Sequence, residues 1–72
     1  MNRQSLPAEI FVVLKEPSLR FPKGIHTPAE LVNAWEQHGA IAFLNLRDFR
    51  PGWAGIVREF VADRQHYHRK NS

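Results

Sequence analysis

Apolar residues fall along this chain in two distinct ways. Two stretches are periodic and two are short unbroken runs. The clearest periodic stretch opens at Thr27-Pro28-Ala29-Glu30, with an N-cap threonine, a proline at the first helical position and a glutamate three residues after the cap. That order is a capping box followed by the residue best suited to a first turn. Leu31, Val32 and Trp35 then make an apolar stripe, and Gly39 supplies a left-handed stop after His38. The spacing predicts a helix over residues 28–38. The second periodic stretch begins near Pro51: Trp53, Ile56, Val57, Phe60 and Val61 recur as one face of a helix, and Tyr67 continues the stripe.

The unbroken runs are "EIFVVLK" at residues 9–15 and "AIAFLNL" at residues 40–46. Bounded by turn and charged residues, each reads as a short buried strand, the first favoured by its β-branched content. A helix remains open for both. Leu6, Ile10, Val13 and Leu14 stand at helical spacing, and alanine and leucine in the second run favour helix. Between them "EPSLRFPKGIHTP" holds three prolines and a glycine, so it must turn or extend, with room for an edge strand at Ser18–Phe21. The resulting expectation is an α+β fold. It is a small single domain over residues 1–72, approximately β-(β)-α-β-α, with two helices packed on a short sheet and residues 64–72 a flexible basic C-terminal tail.

"RPGWAG" at residues 50–55 raises a local question. Gly52 and Gly55 each weaken a first helical turn by about 1 kcal/mol against alanine. The expected offset is close packing of that turn on the sheet, with Trp53 folded inward against the core.

Size and composition narrow the function. At 72 residues the chain supports a thin core, and small domains of this kind lean on disulfides, metals or partners. With no cysteine, disulfides and thiolate zinc sites are excluded. The apolar run Ile10–Leu14 is too short for a secretory or membrane segment, which places the protein in the cytoplasm. Ser5, Ser18 and Ser72 lie in no glycine elbow, and there is no phosphate-cradling loop or dinucleotide fingerprint. His66 and His68 are two apart, the wrong spacing for a helical zinc pair, and His26 and His38 are remote. No enzymatic activity, cofactor or metal is expected.

Two binding readings remain. Both apolar runs need covering on two faces, by helices or by another subunit. Together with the small size this predicts a non-enzymatic regulatory or inhibitory protein acting through protein contacts as a homodimer, in the manner of stand-alone phage or bacterial regulators. The alternative is a nucleic-acid binder. The net charge is a modest +3. However, basic residues interleave with aromatics in the way single-stranded nucleic acid surfaces do. The candidate binding surface comprises Arg20, Phe21 and Lys23 in the proline-rich segment, Arg47, Phe49 and Arg50 before the last helix, and Arg64, Tyr67, Arg69 and Lys70 in the tail.

Overall fold

The computed structural model describes the backbone of residues 6–70 and the side chains of residues 6–65. Three helices make up the regular structure: α1 (Ala8–Lys15), α2 (Pro28–Leu44) and α3 (Trp53–Lys70). Among the described residues there is no strand, so the expected α+β fold with its sheet is replaced by a helical one. Both apolar runs assigned to strands are helical, and Ser18–Phe21 is a tight bend rather than an edge strand.

The first run takes the helical alternative because its spacing allows one-sided burial. Ile10 and Leu14 are fully buried, Leu6 and Val13 pack beside them, and Val12 points outward at 61% exposure. As a strand, the run would have needed a partner to receive its backbone hydrogen bonds. As a helix it satisfies them within itself. Glu9 in the first turn and Lys15 in the last complement the helix dipole. Glu16 ends α1 in an extended conformation, φ −71° and ψ 133°, as the residue before Pro17 is biased to do. Beyond it the chain folds back onto α1, where the Ile25 N–H donates to the Leu14 carbonyl at 2.8 Å. This close return requires Gly24, at φ 76°, because a Cβ there would collide with the Lys15 carbonyl.

The start of α2 matches its sequence signature with one shift of partner. Thr27 Oγ1 accepts from the Glu30 N–H at 3.1 Å, whereas Glu30 Oε1 reaches past Thr27 to accept from the His26 N–H at 2.7 Å. The brace therefore extends one residue into the incoming loop. His26 Nε2 in turn donates to the Lys23 carbonyl at 2.8 Å.

Helical geometry stops at Gly39, as the glycine predicts, but the chain does not become extended. At φ 73° and ψ −175° Gly39 occupies a region essentially restricted to glycine. The helix then resumes over residues 40–44 in a new direction. That second segment turns Ala42 and Phe43 into the core. The expected strand at residues 40–46 fails here because alanine and leucine let the run close its own turn, with the Asn45 N–H donating to the Ile41 carbonyl at 3.1 Å.

Residues 45–52 descend through consecutive tight turns into α3. Pro51 and Gly52 lie in the turn before it, and Val57, Phe60 and Val61 form its buried face. Ile56, expected on that stripe, sits at its edge with 41% exposure. The backbone of α3 continues to Lys70, and of the expected tail at residues 64–72 the last two residues lie outside the described residues. α2 and α3 form the principal helix pair, tied at the surface by a hydrogen bond from Gln65 Nε2 to Glu36 Oε2.

The core is apolar throughout, with no polar side chain buried among the described residues. Phe43 is its hub. Its ring lies 5.6 Å from Phe21, 5.2 Å from Trp35 and 6.0 Å from Phe49, within the range of favourable aromatic pairing. Trp53 closes the chain of rings, edge-on to Phe49 at 5.4 Å and half-buried. The expected reason for Gly55 is overturned: it is exposed, and a Cβ added there meets nothing within 4 Å.

Gly55 and Gly24 give stability predictions of opposite sign. Gly55→Ala removes a helical glycine at no steric cost and should add about 0.5–1 kcal/mol, raising the thermal midpoint by about 2–8 °C. Gly24→Ala should lower the midpoint, since the substituted residue meets both a positive φ and a backbone oxygen. Circular dichroism melts of the two variants beside the parent check both signs. In the same melts, Phe43→Ala should cost about 3–5 kcal/mol. That is comparable with a total stability on the order of 5 kcal/mol for a chain of this size. Trp53→Ala, at a half-buried site, should cost roughly half as much as Phe43→Ala and leave a folded protein. Arg50→Ala should melt almost with the parent.

Candidate interaction surface

The side chains singled out in the sequence separate into surface and core. Arg20 and Lys23 are exposed on the loop between α1 and α2, and Arg47 and Arg50 are exposed on the loop before α3. Phe21, between the first two, is half-buried. Its ring meets His38 edge-on at 5.5 Å and also touches Phe43. Phe49, between the second two, is only 6% exposed and belongs to the core. Arg64 is half-buried, its guanidinium carbon 4.7 Å from the centre of the Phe60 ring. The side chains of Tyr67, Arg69 and Lys70, and those of His66 and His68, lie outside the described residues.

This arrangement bears on the two binding readings. A stacking platform for unpaired bases presents exposed rings. Among the described residues every phenylalanine and tryptophan is buried or half-buried. The arginines beside them cover rings already in use, as Arg50 does over Trp53 at 5.9 Å.

The surface is instead distinguished by aliphatic side chains that the candidate set omitted. Val12, Leu19, Ile41, Leu44 and Ile56 are all substantially exposed. Ile41 at 72% and Leu44 at 43% stand three residues apart, on one side of the short helical segment that follows Gly39. Their neighbours Ala42 and Phe43 fill the opposite side. Residues 40–44, "AIAFL", therefore form a helical turn with no polar face. The two-sided apolar character of this run was visible in the sequence, but as a helix it directs that character to solvent at Ile41 and Leu44. Leu19 had no comparable signal, being a lone apolar residue among loop residues.

A shallow cleft of about 110 Å³ lies where the end of α1 meets the loop before α3. Val13, Glu16, Pro17, Ser18, Leu46, Arg47 and Asp48 line it. It is smaller than the roughly 300–1,000 Å³ of typical small-molecule sites. Its one hydroxyl, Ser18 Oγ, accepts the Phe21 N–H at 3.0 Å. No three His, Cys, Asp or Glu side chains gather as metal ligands among the described residues. No helix among them is long and apolar enough to cross a membrane.

Compared with protein-family models, with curated proteins and with solved structures, the chain matches none.

Proposed function

We propose that this protein acts through protein contacts and not through chemistry. In this reading it is a small regulatory or inhibitory module that pairs with a second copy of itself through the outward side of the 40–44 segment. The observation that carries the reading is the helical turn with no polar face. A helix apolar all round belongs in an interior, and here Ile41 and Leu44 face solvent. A stable interface of standard size takes about 800 Å² from each partner, roughly a seventh of this molecule's 5291 Å² surface. Ile41 and Leu44 suit the dry centre of such a patch. The exposed polar residues Asn45, Arg47 and Asp48, which follow directly, suit its wetter rim. A twofold pairing of identical patches is the commonest way for such a face to be closed.

Light scattering coupled to size exclusion tests this directly. The chain of 8.4 kDa should run at twice that mass at micromolar concentration. Ile41→Asp should return it to a single chain that keeps the parent's helical circular dichroism spectrum, because Ile41 is 72% exposed and outside the core. A parent protein that stays monomeric up to about 100 µM, which corresponds to less than about 5–6 kcal/mol of association, overturns the self-pairing.

A further inference from the structure

The loop that projects from the end of α1 carries a side chain with no role in its own molecule. Leu19 is fully exposed, and Arg20 beside it is exposed as well. The loop backbone is nevertheless braced by its own contacts. Pro17 and Pro22 bracket it, the Ser18 N–H donates to the Phe21 carbonyl at 3.0 Å, and the Phe21 N–H donates to Ser18 Oγ. Phe21 is wedged against His38 and Phe43 beneath. An apolar tip held in place before binding loses little freedom when it docks.

The cleft at the base of this loop has matching chemistry. Val13, Pro17 and Leu46 give it apolar walls, and the carboxylates of Glu16 and Asp48 outnumber the guanidinium of Arg47. At about 110 Å³ the cleft is on the scale of a single side chain. The molecule thus carries both an aliphatic tip flanked by a cation and a cleft with three apolar residues and a net acidic rim. Since Pro17 and Ser18 line the slot while Leu19 points into solvent, the tip does not occupy the slot of its own chain.

We infer that in a pair of copies the Leu19 side chain of each seats in the other's cleft, with Arg20 against the partner copy's acidic rim. This rests on the reading that the chain pairs with itself, and it names how. A twofold axis makes the exchange reciprocal, so one tip-and-slot match is counted twice. Leu46 lies two residues beyond Leu44, which puts the slot next in sequence to the apolar side of the 40–44 segment. A membrane is a poorer fit for this tip, because one leucine offers little apolar surface to a bilayer.

The experiment measures dimer dissociation by sedimentation equilibrium for the parent, Leu19→Ser, Ile41→Asp, Arg20→Glu and the double variant Arg20→Glu/Asp48→Lys. Circular dichroism confirms each fold. Leu19→Ser should weaken the dimer at least tenfold while keeping the parent's helical circular dichroism spectrum. Arg20→Glu should weaken it severalfold, and adding Asp48→Lys should restore most of that loss. A dimer that Ile41→Asp breaks but Leu19→Ser leaves intact overturns the tip-and-slot exchange and spares the proposed pairing. A parent that never dimerises overturns both. Failure of Asp48→Lys to restore the Arg20→Glu loss removes the charge pairing at the rim. Binding of the parent, but not of Leu19→Ser, to vesicles of anionic phospholipid would assign the tip to a membrane instead.

Discussion

Phe43 can reach the centre of the molecule only because the backbone changes direction four residues before it. An uninterrupted helix from Pro28 would carry its stripe onward past the core. The glycine-restricted conformation of Gly39 instead redirects the next turn, so that Phe43 meets Phe21, Trp35 and Phe49 together. Each contact draws a different part of the chain to one point: the loop after α1, the first part of α2, and the loop before α3. In a molecule with no disulfide and no buried polar side chain among its described residues, this convergence of rings is what fixes the two loops relative to the helices. It also accounts for the exposed apolar side of residues 40–44. A turn short enough to present Phe43 inward carries Ile41 and Leu44 outward.

What could be read from the sequence followed the strength of each local signal. The Thr27 to Glu30 cap and the Gly39 stop bounded a helical segment at residues 28–38, and the stripe of Val57, Phe60 and Val61 marked the buried face of α3. Those signals combine periodicity with end chemistry. Residues 9–15 and 40–46 offered neither over sufficient length, because an apolar run of five or six residues satisfies a strand and a helix equally well. The decision lay in the tertiary structure, where each run found a core to cover on one side and no strand to pair with. Phe21 and Phe49 were misplaced for a related reason. Flanking arginines made them resemble surface rings, yet a tight turn can send neighbouring side chains in opposite directions, and here the arginines face water while the rings face Phe43.

The candidate site was legible only in part. The sequence showed that both apolar runs need covering on two faces; in the 40–44 segment the core covers one side, and Ile41 and Leu44 are exposed on the other. The cleft was not visible, since Val13, Glu16 and Pro17 are separated from Leu46 and Asp48 by some thirty residues and meet only when the loops pack. Leu19 is conspicuous only through its exposure, a property of the fold and not of its neighbours in sequence.

α1 is attached differently from the other helices. At eight residues it is too short to persist alone. It is held by the side chains of Ile10 and Leu14 and by the Ile25 to Leu14 backbone hydrogen bond, outside the main α2–α3 pair. By the general gradient of local stability, such a segment should open to solvent at a lower free energy than the α2–α3 pair. The cleft draws Val13 and Glu16 from this end of the molecule and Leu46 and Asp48 from the more firmly held loop. Anything seated there would bridge the two, and by mass action its occupancy would slow amide exchange along α1 most of all, coupling the docking of a partner to the final ordering of the chain.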